Sequence, residues 1–163
     1  MNIRFRRVRE SDLRRLNEIV NDMEVSHYLG LLPPVTMKST REFYTQCMSK
    51  KHLWYGIIVD GSIAGSVFLG PGPERSKISH SAEFGISIAR EYWGRGVGDK
   101  AIMFMIRKAR ELGLKRIELG VVEGNRRARS LYMKHGFVKE GLKRKAFMIK
   151  GRYHNMIVMA RLM

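Results

Sequence analysis

Hydrophobic and polar positions recur with two different periods along this chain, and each change of period marks an element boundary. Residues 3–8 run apolar and basic by turns, which predicts a strand with one wet face. From Leu13 through Leu16, Ile19, Val20 and Met23 the spacing becomes helical, with Ser11 or Asp12 offered as N-cap and an end near residues 22–24. Residues 27–35, with Gly30 and the Pro33-Pro34 pair, read as irregular. Ser39 followed by Glu42 has capping-box spacing and predicts a second short helix to about residue 50. Residues 54–59 and 62–69 are β-favouring runs joined by Asp60-Gly61, a two-residue hairpin signal.

A third run, residues 82–88, is apolar enough for a strand buried on both faces, apart from Glu83. Beyond it Ala101, Ile102, Met105, Ile106, Ala109 and Leu112 recur at helical spacing, predicting a helix from about Val97 to Gly113. Residues 115–122 predict a strand, and Asn125 caps a helix whose inner face is Ala128, Leu131 and Tyr132, ended by Gly136. Residues 137–149 and 153–162, turning at Lys150-Gly151, predict a closing hairpin. The order β, α, α, three strands, α, β, α, β, β specifies an α/β (α+β) chain: a mixed sheet with helices on its faces. With neither repeat nor low-complexity linker, residues 1–163 read as one domain.

Composition narrows the classes. Cys47 is the only cysteine, so an intramolecular disulfide is excluded, and it reads as a small buried hydrophobe. Arginines crowd the first twelve positions and no long apolar run occurs, which implies a soluble, cytoplasmic protein without membrane contact. The five histidines have no ligand spacing, and no metal is expected. The formal net charge of +16 changes the picture more. It concentrates late in the chain, where Glu140 is the only acid among Arg126, Arg127, Arg129 and the cations that follow them. Such a surface is either a solvated basic face or one that draws polyanions such as RNA, the ribosome or a phosphorylated cofactor.

The candidate chemistry sits between the third strand and the helix after it, where Gly94, Gly96 and Gly98 occupy every second position. A helix whose first turn is glycine presents bare N–H groups and the positive end of its dipole, so an anion cradle is one reading. A tight turn that lets the helix pack closely on the sheet is the other. A Walker loop is excluded, because Asp99-Lys100 follows Gly98, and the glycine spacing is wrong for a dinucleotide fingerprint.

Three blocks together resemble the GNAT superfamily of acyl-CoA-dependent N-acyltransferases over nearly the whole chain. They are the Glu83 strand, the turn Trp93-Gly94-Arg95-Gly96-Val97-Gly98, and residues 125–137 with their Asn-x-x-Ala-x-x-Leu-Tyr-x-x-x-Gly-Phe pattern. That family usually has Gln or Arg at the first turn position, where this chain has Trp93 and carries Arg95 inside the turn instead. The Tyr-Trp-Gly-x-Gly wording is similar to branches that acetylate ribosomal-protein N-termini or polyamines.

The resemblance implies a mostly antiparallel central sheet with splayed middle strands and acetyl-CoA as cosubstrate. It implies that Gly94, Arg95, Gly96, Val97, Gly98 and Asp99 hold the pyrophosphate, that Ile86, Ser87 and Ile88 pair main chain with the pantetheine arm, and that Asn125 contacts that arm. Arg126, Arg127 or Arg129 would reach the 3′-phosphate. Glu83 would be general base, its pKa raised by the apolar strand, and Tyr132 general acid; a structural carboxylate and a core tyrosine are the alternatives. His27 and Tyr28 would line the acceptor pocket. His80, three residues from Glu83, falls on the opposite face of the strand.

The expected reaction is direct attack by a primary amine in a ternary complex. The acceptor is expected to be a protein or peptide N-terminus; the alternative is a polyamine, for which Glu10, Asp12, Glu18, Asp22 and Glu24 could build an acidic pocket, or another small-molecule amine. A basic nucleic-acid- or ribosome-binding protein on the same fold is an alternative of another class. Ribosome or RNA proximity fits the charge, and a homodimer is compatible with the sequence.

Overall fold

The computed structural model describes residues 1–50 and 52–163. Its strands are β1 (Ile3–Arg7), β2 (Leu53–Val59), β3 (Ser62–Pro71), β4 (Ser81–Ile88), β5 (Arg116–Val122), β6 (Val138–Ile149) and β7 (Arg152–Leu162). They form one sheet in the order β1-β2-β3-β4-β5-β7-β6. All neighbours are antiparallel except β4 and β5, which run parallel. The β4–β5 pairing covers only Ser81–Arg116, Ala82–Ile117 and Glu83–Glu118. Beyond Glu83 and Glu118 the two middle strands part, and that wedge is the splay expected of the sheet.

The helices are α1 (Leu13–Asn21), α2 (Met23–Ser26), α3 (Met37–Ser49), α4 (Val97–Glu111) and α5 (Arg126–Lys134). On one sheet face α4 and α5 bury the larger cluster, in which Leu69, Ile102, Met105 and Ile117 are fully enclosed. Each such side chain contributes about 1.5–3 kcal/mol by leaving water. On the other, α1 to α3 enclose a smaller cluster around Leu13, Ile19, Cys47 and Trp54. Among the described residues no helix is long and apolar enough to cross a membrane.

Two expected helix starts are corrected. Asp12 stands before α1 but caps nothing in it; its carboxylate reaches back to the Arg9 N–H at 2.8 Å and to the Arg6 guanidinium at 2.6 and 2.9 Å. Helix α3 is capped by Thr36, whose hydroxyl accepts from the Ser39 N–H at 3.1 Å, so it starts earlier than Ser39 and Glu42 suggest. One helix was not foreseen: Asp22 breaks α1 with ψ at 130° and caps the four-residue α2 through the Glu24 and Val25 N–H groups.

Burial of Asp12 favours the neutral acid, but the bonds from Arg6 and Arg9 outweigh it and hold the carboxyl below its usual range. A pKa lowered by folding adds stability above the unfolded value of about 3.9, and that stability is lost as pH falls through the folded value. Asp12→Asn is therefore expected to cost about 1–2 kcal/mol at pH 7, the Arg6 side being part-exposed and screened. Urea unfolding checks this, and the difference from the unsubstituted chain should shrink towards pH 2.

Candidate active site

The parting of β4 from β5 opens a cleft of about 990 Å³. One wall is residues 83–88 of β4, the other is Gly120 and Val121 of β5 with residues 124–128 and Tyr132 of α5, and Trp93 closes one end. The rim comes from the α2 segment with His27 and Tyr28, and from Phe147, Lys150 and Met156 of the β6–β7 hairpin.

Alternation along β4 sends Ala82, Phe84, Ile86 and Ile88 to the α4 face and Glu83 to the face covered by α1 to α3. Glu83 is exposed, which corrects the expected enclosure in an apolar strand. The reason is local: β5 stops pairing at this residue, so the cleft begins where the carboxylate projects. Glu83 makes no ion pair or hydrogen bond among the described residues. The other lining carboxylate, Glu24, is bound to Arg90 at 2.8 Å.

The open edge of β4 supplies main-chain groups. The Ala89 N–H donates to the Ala64 carbonyl of β3 at 2.8 Å, so alternation turns the Ile86 and Ile88 amides away from β3, towards the cleft. The Ser87 amide faces β3 instead. The Ile88 carbonyl is already occupied, because the Trp93 indole N–H donates to it at 2.8 Å. The same indole ring carries the Arg127 guanidinium 4.8 Å from its centroid. Trp93 thus ties the end of β4 to α5, a role that its departure from the family's usual residue did not reveal.

At the start of α4 the glycines divide their roles. Gly94 and Gly96 have φ of 72° and 75°, a conformation that side chains rarely adopt, and Gly96 is the N-cap. The first helical bond runs from the Lys100 N–H to the Gly96 carbonyl, so the N–H groups of Val97, Gly98 and Asp99 have no partner within the helix. Gly98 serves packing: a Cβ there would stand 2.8 Å from Leu131 Cδ2 of α5. The close-packing reading of the glycine turn holds at Gly98. The Asp99 carboxylate is turned to Lys134 and His135 at 2.6 and 3.0 Å, leaving only its N–H for an anion.

Asn125 accepts from the Ala128 N–H at 3.1 Å and starts α5 at the cleft wall. Tyr132 is 8% exposed, its ring 6.2 Å from Phe84 and 5.8 Å from Phe137. It nevertheless lines the cleft, and its hydroxyl has no bonding partner among the described residues. Burial pushes its pKa up to about 12. Arg126 and Arg127 line the cleft, whereas Arg129, Arg95 and the glycines of the turn lie outside that lining. His27 and Tyr28 meet edge to face at 4.6 Å on the rim.

Most of the acids expected to form a pocket around α1 are engaged among the described residues, Glu10 excepted. Asp12 is held by Arg6, Glu18 lies 3.5 and 3.6 Å from Arg14 and Arg15, Asp22 caps α2, and Glu24 meets Arg90. Arginines thus neutralise Asp12, Glu18 and Glu24 in space, leaving Glu10 and Asp22 without an ion pair among the described residues. A histidine does share the field of Glu83, and it is His52, beside Gly70, the register partner of Glu83. Burial, then Lys50, lowers the His52 pKa against the pull of Glu83. Among the described residues no cluster of ligating side chains could hold a metal ion.

A phosphorylated thioester carrier with a long amide arm fits this geometry: unpartnered helix N–H groups and two arginines for phosphate, and the free Ile86 and Ile88 amides for the arm. Comparison with known proteins points the same way. The family model described as acetyltransferase (GNAT) domain matches residues 2–138. YdaF of Bacillus subtilis (strain 168), whose name assigns it provisionally to the ribosomal N-acetyltransferases, is 30% identical over 103 residues. That match covers 63% of this chain and 55% of YdaF, about half its length. Spermidine N(1)-acetyltransferase of Escherichia coli (strain K12) is 29% identical over 159 residues, 96% of this chain and 84% of that protein. The crystal structure of spermidine N-acetyltransferase from Vibrio cholerae in complex with CoA and spermine superposes with a TM-score of 0.87 at 28% identity. The superposition covers 98% of this chain and 95% of that one.

Proposed function

The chain belongs to the GNAT family of acetyl-CoA-dependent N-acetyltransferases, and from that premise we propose that it acetylates the α-amine of a protein or peptide N-terminus by direct attack in a ternary complex. The observation that carries the choice of acceptor is the single unpaired carboxylate of the cleft. One carboxylate, Glu83, suits one amine, whereas a polycation entering a chain of net charge +16 needs several acids, and Asp12, Glu18 and Glu24 around α1 are already ion-paired.

An α-amine has a pKa of about 8, so roughly a tenth of it is neutral at pH 7 and the rest must lose a proton before attack. Glu83 accepts that proton, directly or through a water in the open cleft. The Val97, Gly98 and Asp99 N–H groups, with Arg126 and Arg127, hold the phosphates of acetyl-CoA. Asn125 and the Ile86 and Ile88 amides align its arm. Tyr132 stays protonated to near pH 12 and donates its hydroxyl proton as the thiolate leaves. Cys47 is fully buried with its thiol pushed up to about 11, so an acyl-cysteine intermediate is disfavoured.

Tyr132→Phe is expected to lower kcat about 100-fold with little change in acetyl-CoA affinity, checked by thiol release and calorimetry. The acceptor is tested by thiol release from acetyl-CoA with spermidine and with peptides beginning with Ala, Ser or Met. A kcat/KM at least about tenfold higher for one peptide, some 1.4 kcal/mol in the transition state, is the expected result. Preference for spermidine overturns the choice of acceptor.

A further inference from the structure

We propose that the β6–β7 hairpin is a docking surface for single-stranded nucleic acid. This goes beyond acetyl transfer and does not rest on it. Strand β6 is one edge of the sheet and is exposed on both faces from Leu142 to Ala146. The hairpin carries Lys139, Lys143, Arg144, Lys145, Lys150 and Arg152, all exposed and none in an ion pair among the described residues. Its one acid, Glu140, is held by the Arg116 guanidinium at 2.9 and 2.6 Å and neutralises none of them.

Charge alone would suit any polyanion, and the aromatic content narrows the partner. Tyr153 is 64% exposed, as is Met148 directly across the ladder, and Lys145 Nζ stands 5.5 Å from the Tyr153 ring centroid. An exposed ring flanked by cations is what a single strand uses, stacking a base on the ring while its phosphates meet the lysines and arginines. A base paired in a duplex has no free face to offer. A second copy of the chain fits poorly, because a two-fold contact across this edge would set six cations against six. Phe147 and Lys150 of the same hairpin line the rim of the cleft, so a bound strand would lie beside the acceptor entrance.

The test is fluorescence anisotropy with a labelled oligouridine across a series of salt concentrations, without acetyl-CoA. About five phosphate contacts give a slope of log K against log salt of about −3.5, and Lys143→Ala/Lys145→Ala/Arg152→Ala should flatten it by about 2. Tyr153→Ala should weaken binding about tenfold with the slope unchanged. All these positions are exposed and outside the cleft lining, and unchanged acetyl-CoA binding reports that the variants fold. The proposal is overturned by absence of binding at low salt, by a slope the triple variant leaves intact, or by a neutral Tyr153→Ala. Duplex RNA binding as tightly, or polyglutamate displacing the oligonucleotide as well as unlabelled oligouridine does, overturns it equally.

Discussion

Glu83→Gln is expected to lower kcat at pH 7 by about 10²–10³-fold while acetyl-CoA binds as before. The side chain is exposed, supports no ion pair or hydrogen bond among the described residues, and keeps its shape as the amide, so the loss reports chemistry rather than folding. The size of the loss should depend on pH in one direction. Above the α-amine pKa of about 8 the acceptor sheds its own proton, so the defect shrinks as pH rises. Measured kcat ratios that stay constant from pH 7 to above 9 would remove the base from the reaction. A larger defect with spermidine than with a peptide would be consistent with the same role, since an alkylamine of pKa about 10.4 needs more help.

Gly96→Val should weaken acetyl-CoA binding by about 10- to 100-fold. Nothing stands within 4 Å of a Cβ at this position, so the effect is not one of space. It comes from φ of 75°, which costs an L residue about 1–2 kcal/mol and a β-branched one more. Relaxing that strain rotates the turn and re-aims the N–H groups of Val97 and Gly98 that the phosphates need. Gly98→Val behaves differently: it forces Leu131 and α5 away from α4, and should lower Tm as well as affinity. Calorimetry with acetyl-CoA and a thermal melt separate the two, and unchanged affinity in Gly96→Val would refute the cradle.

Local signals in the sequence located most elements because their causes are local. Asp60-Gly61 and Lys150-Gly151 turn with positive φ at all four residues, and Asn125 and Gly136 bracket α5 as their chemistry requires. The start of α3 was misread because Thr36-x-x-Ser39 and Ser39-x-x-Glu42 offer the same cap spacing two ways, and only the backbone decides between them. Glu83 shows the deeper limit. Periodicity reports which face a side chain takes, but its exposure depends on β5 leaving β4 at Glu118, a contact 35 positions away. The same holds for Asp12 and Glu24, whose partners Arg6 and Arg90 come from β1 and the segment after β4, and for His52, which reaches the field of Glu83 only through the β3–β4 register. Trp93 was visible as a departure from the family pattern, yet its bond to the Ile88 carbonyl and its stack with Arg127 are tertiary.

Amide hydrogen exchange followed by NMR, with and without acetyl-CoA, tests the placement of the cosubstrate in the β4–β5 cleft most directly. Acetyl-CoA should slow exchange at Ile86 and Ile88 on the open edge of β4 and at Val97, Gly98 and Asp99 in the first turn of α4, leaving Ser87, already turned to β3, unchanged. Protection confined to other surfaces, with those five amides exchanging as before, would contradict it.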